Sequence, residues 1–219
     1  MTRQLHLGGF LIASPVTHSH AAWRHPGSET DYFGPDHYHR VGRILERGKF
    51  DFAFFADLLA APDRFGGDQT EPFRRGTQAA ATLDPSLVAA SLAAVTSRLG
   101  IAVTKSSTYF HPYELARVFG SLDHLTRGRI AWNIVTSLTQ AEARNFGHDA
   151  HVGHEERYAR AEEFVSTAIK LWSSWDADAV TADKESGIWA DPSKIHPVDH
   201  AGAHYRTRGP LNQPRSPQH

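Results

Sequence analysis

The chain contains no cysteine among its 219 residues. That excludes disulfides, thiolate catalysis and any Cys-ligated zinc or iron–sulfur centre. It also has no excess of positive charge: 23 Lys and Arg face 24 Asp and Glu, a formal net charge of -1. A nucleic-acid partner calls for a basic surface that neutralises phosphates, so that class is set aside. Long apolar runs are missing as well. The stretch Leu7 to Ala13 is far short of the ~20 residues that cross a bilayer, and it meets Pro15 without a small-x-small cleavage site. A membrane role is therefore not expected, and a cytoplasmic setting is permitted. No Gly-rich dinucleotide turn follows the first apolar run. With 40% hydrophobic and 21% charged residues, the remainder is an ordinary globular composition.

Short apolar runs alternate with helical periodicity. A strand is predicted over 6–13, then a polar loop over 18–34. A helix over 36–47 carries Tyr38, Val41, Ile44 and Leu45 on its inner face, with Gly48 as C-cap. The run Phe50 to Ala56 reads as a parallel strand covered on both faces and ends at Asp57. A long loop over 58–83 leads to Asp84-Pro85, an N-cap followed by a first-turn proline, opening a helix with Leu87, Val88, Leu92 and Val95 inward. Leu99 to Val103 forms a strand ending at Thr104, and a helix over 112–125 follows. Arg129 to Trp132 forms a strand ending at Asn133. A helix over 154–172 carries the stripe Tyr158, Ala161, Phe164, Val165, Ala168, Ile169 and Trp172. The proline-rich tail beyond Ser173 shows no further element.

This is an α/β pattern of about four consecutive β/α units, hence a parallel sheet with crossover helices. A doubly wound sheet and part of a (β/α)8 TIM-like barrel both satisfy it. The barrel is favoured because polar residues stand at the carboxyl ends of successive strands, where barrel enzymes keep their chemistry. A complete barrel takes ~250 residues, whereas about four units occupy most of this chain. The expectation is an N-terminal half barrel over residues 1–219. Such a half leaves edge strands and apolar faces uncovered, so the isolated chain is expected to be a poor monomer.

Asp57, Thr104 and Asn133 are expected on one rim of the sheet. Asp57 alone would also suit a cap or loop carboxylate, and Thr104 alone would reflect β propensity. His154 and Tyr158 are four apart near a helix N-terminus, where amides and dipole favour an anion; Tyr158 equally fits an apolar core stripe. Trp23, Trp132, Phe10 and Phe55 are open to either a ligand wall or core packing. Lys105, Arg117, Arg127 and Arg129, interspersed with Glu114 and Asp123, read as ordinary surface charge. His18-Ser19-His20 after the first strand supports a different class, a metal-dependent hydrolase of the amidohydrolase type, since imidazoles at i, i+2 can chelate. Asn133, not a bridging Lys, ends the fourth strand, which counts against it.

Several blocks, in order, resemble the nitrilotriacetate monooxygenase component A family, a branch of the luciferase-like flavin monooxygenases. They are Lys49 to Asp57, Ala102 to Tyr109 with Pro112 to Arg117, Ser121 to Arg129, Trp132 to Ser137, Ala143 to Gly147, His154 to Tyr158, and His204 to Asn212. The resemblance implies a TIM-like barrel that binds reduced FMN (FMNH2) from a separate NADH:FMN flavin reductase and, with O2, oxygenates a small organic substrate. It implies flavin contacts at Asp57, Thr104, His154 and Tyr158, with Asn133 as an addition. It implies no metal, and an FMN phosphate anchor beyond residue 219. Expected partners are the reductase and either a second copy of the chain, as a homo-oligomer, or a complementing C-terminal half. An inert or interaction-only fragment is the alternative of a different class.

Overall fold

The computed structural model describes residues 4–15, 21–64 and 66–219. These divide into two units: the described residues up to 105 with 129–151, and residues 106–128 with 152–219.

The first unit is organised by a four-stranded sheet of β1 (Gly8–Ile12), β2 (Phe52–Ala56), β3 (Gly100–Ser106) and β4 (Ile130–Val135), in that order. β1 pairs parallel with β2 from Gly8 opposite Phe52 to Ile12 opposite Ala56, and β2 pairs parallel with β3. The order and direction are those of consecutive units of a partial luciferase-like barrel, as expected. β3 and β4 run further than periodicity suggested, because Thr104 to Ser106 and Asn133 to Val135 continue the ladder despite their polar members. Thr104 and Asn133 therefore lie within strands, while Asp57 directly follows one.

Helix α1 (Pro35–Arg47) and helix α3 (Pro85–Ala93) pack against one another in this unit. The inner face of α1 centres on buried Tyr38 and Gly42, and Ile44, turned off that face, is 48% exposed. A Cβ at Gly42 would collide with Leu92 of α3, so glycine permits the close approach. Gly48 caps α1 at φ -74°, and Lys49, at φ 58°, takes the left-handed position. In α3 the Asp84 carboxylate accepts from Ser86 N at 2.8 Å, the cap read from Asp-Pro. Val88 and Leu92 are buried, but Leu87 is 73% exposed.

Among the described residues, one face of β2 is buried and the other is partly exposed, where cover on both faces was expected. Ala53 and Phe55 are buried beside Ile101 and Val103, with Phe55 and Tyr38 rings 6.5 Å apart. On the other face Phe10 and Phe54 lie 5.4 Å apart, and Phe10 and Phe52 are 47% and 37% exposed. The alternation of a strand sends Phe52 and Phe54 away from the helices that bury Phe55. Two short helices interrupt what read as loops: α2 (Thr70–Arg75) and α5 (Gln140–Asn145), six residues each and too short for a periodic signal.

The second unit is built on α4 (Pro112–Thr126) and α6 (His154–Trp172), joined by a hydrogen bond from Trp172 Nε1 to Ala116 O at 2.8 Å. The buried face of α6 is Phe164, Thr167, Ala168 and Leu171; Tyr158 and Ile169 are more than half exposed, a rotation from the stripe expected. The tail beyond Ser173, where no further element was expected, carries short strands. It forms hairpins β5 (Val180–Asp183) with β6 (Ile188–Ala190) and β7 (His200–Ala201) with β8 (Arg206–Thr207). Buried Trp175 donates to Leu211 O at 2.6 Å, and Tyr205 packs edge-on to Phe164 and donates to Ser107 O. Among the described residues, no helix is long and apolar enough to cross a membrane.

Candidate functional site

The ends of β2 and β3 bring charge into the first unit. Lys105, in β3, is 5% exposed and donates to Asp84 Oδ2 at 2.5 Å. It is a buried cation with a paired carboxylate, not the surface charge the sequence suggested. Asp84 also takes the N–H and hydroxyl of Ser86. Burial works against the Asp84 charge, but hydrogen bonds from Lys105 and Ser86 outweigh it and hold the carboxyl below the usual range. Arg129 is likewise structural: its guanidinium donates to the carbonyls of Leu99 at 2.6 Å and Thr96 at 3.1 Å.

Asp57 stands apart. It is half-buried, and among the described residues its side chain accepts one hydrogen bond, from Leu58 N at 2.9 Å. Burial pushes its carboxyl up to about 7; Lys105 pulls it down, while the negative charges of Asp84 and Glu142 push the same way as burial. At neutral pH this group is poised between donor and acceptor, the condition of a proton-handling or ligand-binding carboxyl. Glu142 shows the contrast within one cluster. It completes a capping box with Thr139 and also accepts from Leu138 N at 3.0 Å, Leu59 N at 3.3 Å and Ser137 Oγ at 3.1 Å. Burial opposes its charge, yet these donors keep its carboxyl below the usual range.

A cleft of about 450 Å³ opens beside Asp57. Its walls are residues 58–61 and 79–83, and its polar side chains are Asp57, Thr82, Asp84 and Asn145. Asn145 is held by donating to Leu59 O at 2.9 Å. The volume is that of a small-molecule site.

Thr104 and Asn133 meet across neighbouring strands: Asn133 Nδ2 donates to Thr104 Oγ1 at 2.9 Å. The pair is neutral, with Thr104 buried at 3% exposure and Asn133 half-buried. Of the three residues expected on one rim, Asp57 follows β2, while Thr104 and Asn133 lie within β3 and β4 and contact each other.

His154 and Tyr158 belong to the second unit. They sit in the first turns of α6, exposed, with rings 4.7 Å apart. Gly153 precedes the helix and gives no side-chain cap. Tyr158 therefore lies outside the core. Of the aromatic residues left open, Phe55 is core, Phe10 is on the uncovered sheet face, and Trp132 and Trp23 donate to the carbonyls of Lys105 and Arg75. His18 and His20 lie outside the described residues.

Sequence reading missed Lys105, Asp84 as its partner, Glu142 and Asn145. Asp84 was legible as a cap, and Thr139-x-x-Glu142 carries a capping-box signature.

Residues 13–219 match the family described as luciferase-like monooxygenase. The chain is 50% identical over 216 residues to a dibenzothiophene-sulfone monooxygenase of Rhodococcus erythropolis (strain XP), covering 99% of this chain and 48% of that protein. It is 44% identical over 223 residues to nitrilotriacetate monooxygenase component A of Aminobacter aminovorans, covering 99% and 48%. Among solved structures, a riboflavin lyase with modified FMN and riboflavin superposes with a TM-score of 0.91 at 37% identity, covering 98% of this chain and 48% of that one. The chain spans about half the length of the curated relatives it matches.

Proposed function

Because the chain belongs to the luciferase-like monooxygenase family, we propose that it supplies the flavin-binding part of a two-component monooxygenase. Reduced FMN, delivered by a separate NADH:FMN flavin reductase, brings the electrons with which dioxygen is activated and a small organic substrate oxygenated. The carrying observation is Asp57, a half-buried carboxyl with one hydrogen-bond donor, held at about 7 and facing a small-molecule cleft.

The residues present fit this cofactor. A flavin ring presents a polar edge of alternating donors and acceptors, and the Thr104–Asn133 pair brings polar groups without charge. Asp57, able to hold or release a proton near neutrality, would serve a ring position that changes protonation. The resemblance adds His154 and Tyr158 of the second unit as flavin contacts, and their exposed rings lie 4.7 Å apart at the start of α6. The chain's own tasks are to bind and orient the flavin, to hold a proton at Asp57, and to keep water from the reacting centre with the apolar walls of the cleft. A related structure was solved with modified FMN, and one relative is named as a component A, which supports both cofactor and reductase.

The reading takes a complementing half or a second copy of the chain as a partner, to which the half-exposed Phe10 and Phe52 offer a surface. Dependence on reduced flavin argues for a cytoplasmic setting.

Anaerobic titration with reduced FMN, alone and with a C-terminal half expressed from a relative, tests the reading. Saturable binding that tightens with the added half is expected. No saturable binding in either arrangement overturns it.

A further inference from the structure

Two cavities meet at Asp57. One is the cleft of about 450 Å³; the other is a recess of about 20 Å³ lined by Ile12, Ala56, Asp57, Leu58, Gln78 and Ala79. Asp57, Leu58 and Ala79 line both, so they form the partition between them. The recess has room for one water. Its lining brings two polar side chains, the Asp57 carboxyl and the Gln78 amide. Asp57 Oδ1 accepts from Leu58 N at 2.9 Å, and among the described residues neither Asp57 Oδ2 nor the Gln78 amide has a hydrogen-bond partner. The backbone here is unusual as well. Ala80 N donates to Thr77 O at 3.0 Å, closing a turn in which Ala79, at φ 62°, takes the left-handed position. Glycine adopts that conformation freely, whereas alanine adopts it at a cost. The residue that bears the cost is 6% exposed and stands in the partition. Strain kept beside a candidate site points to a use for the side chain.

We propose that Gln78 and Ala79 position Asp57 through one water: the recess holds it between the Asp57 carboxyl and the Gln78 amide, and the Ala79 methyl parts it from the water of the cleft. The inference rests on the reading of Asp57 as the proton-holding group of the ligand site and names two residues that serve it. An amide both donates and accepts, so Gln78 can hold the water in either orientation. The water donates to Asp57 when that carboxyl is ionised and accepts from it when it is protonated. Asp57 thereby keeps one fixed partner in both states, and its cleft side stays open to a ligand. The charged groups that act on Asp57 are Lys105 from β3, Asp84 from the start of α3 and Glu142 from α5, and none of these three lines the recess.

The test is NMR on the full chain. In the unmodified protein the methyl groups of Ile12 and Ala56, residues that line the recess and not the cleft, should show nuclear Overhauser contacts with a bound water. Their absence overturns the proposal. Gln78→Met, similar in length but without the amide, should abolish those contacts and raise the proton affinity of Asp57 about tenfold, because the ionised carboxyl loses a donor. Ala79→Gly should act in the opposite sense. Relief of the left-handed alanine should keep or raise Tm, while cleft water reaching the carboxyl lowers its proton affinity severalfold. A turn with a merely structural role predicts the same Tm with Asp57 unmoved in both variants, and that result overturns the proposal. If Gln78→Met does not fold, the water contacts of the unmodified chain and the Ala79→Gly titration still decide. A parallel titration with reduced FMN separates the two readings: flavin binding with Asp57 unmoved in both variants overturns only the positioning, and shifted Asp57 titrations without flavin binding overturn only the flavin assignment.

Discussion

Two carboxylates, one in each unit, have opposite fates. Asp57 accepts one hydrogen bond and is pushed up to about 7 by burial. Glu163, on α6, accepts from His200 Nε2, His204 N and Tyr205 N, each at 3.0 Å, and the His200 bond first among these donors draws it down to about 2. Both are acids near a folded backbone; the difference is the supply of donors. Glu163 is a fastening, closing the β7–β8 hairpin onto its helix so tightly that Gly202 has no room for a Cβ beside the carboxylate. Asp57 is under-served in a place where a ligand could bring what is lacking. A carboxyl with its donors in place reads as architecture, and one without them beside a cleft reads as a site.

The largest way to disturb this contrast is Lys105→Met. It removes the buried ammonium, strands Asp84, and takes away the charge that restrains Asp57. Because Asp84 keeps 43% of its side chain exposed, the loss should be about 2–3 kcal/mol, below that of a fully buried pair. The Asp57 titration should also move above its present midpoint. Chemical denaturation with carboxyl-specific NMR checks both; an unmoved Asp57 would mean that Lys105 serves Asp84 alone.

Next in size is Asp57→Asn. The folded state favours the protonated carboxyl, since 3.8 rises to about 7. The native chain therefore holds more protons between those values, and stability from this group is full below about 3.8 and lost as pH rises through 7. Asparagine escapes that loss. The variant should be more stable than the parent at pH 8 by about 2 kcal/mol, after allowing for partial exposure, and no more stable near pH 3.5. Equal stability at pH 8 would return Asp57 to an ordinary solvated carboxylate.

Much of the frame was legible because its elements obey strong periods. α6 spans the residues expected, and the Asp84-Pro85 start of α3 is a local code. Faces were less secure: Ile44, Leu87, Tyr158 and Ile169 lie on apolar stripes and yet are exposed, since periodicity gives a stripe's spacing but not its centre. α2 and α5 have under two turns, and the tail hairpins have strands of two to four residues among prolines. Among the candidate residues, Asp57 follows its strand as read, but Thr104 and Asn133, read as strand ends, lie within longer strands because polar residues continue them. The Lys105–Asp84 pair was not legible, because its members are 21 residues apart and only the fold decides which charges are buried together. Arg129 looked like surface charge for the same reason.

The Glu163 side of the contrast breaks with Glu163→Ala. Losing three donors' common acceptor should lower Tm by several degrees and speed amide exchange at residues 202–206, with the Asp57 titration unmoved. Acid should mimic it. The carboxyl lies at about 2 against an ordinary 4.5, so its contribution is present above 4.5 and disappears as pH falls through 2. Hairpin exchange that stays slow at pH 2 would show that Tyr205 packing, not the carboxylate, holds the turn.

The smallest expected effect sharpens the division between site and architecture on α6 itself. Tyr158 is 57% exposed and its ring pairs with His154, so Tyr158→Phe leaves packing intact and should change stability by no more than about 0.5 kcal/mol. If its hydroxyl reaches the cofactor, affinity for reduced FMN should fall about fivefold, the equivalent of one neutral hydrogen bond. Glu163, five residues along the same helix, predicts the reverse: a structural loss with flavin affinity unchanged. A Tyr158→Phe chain that binds flavin as the parent does would remove the first turn of α6 from the site and leave Asp57, Thr104 and Asn133 to carry the binding.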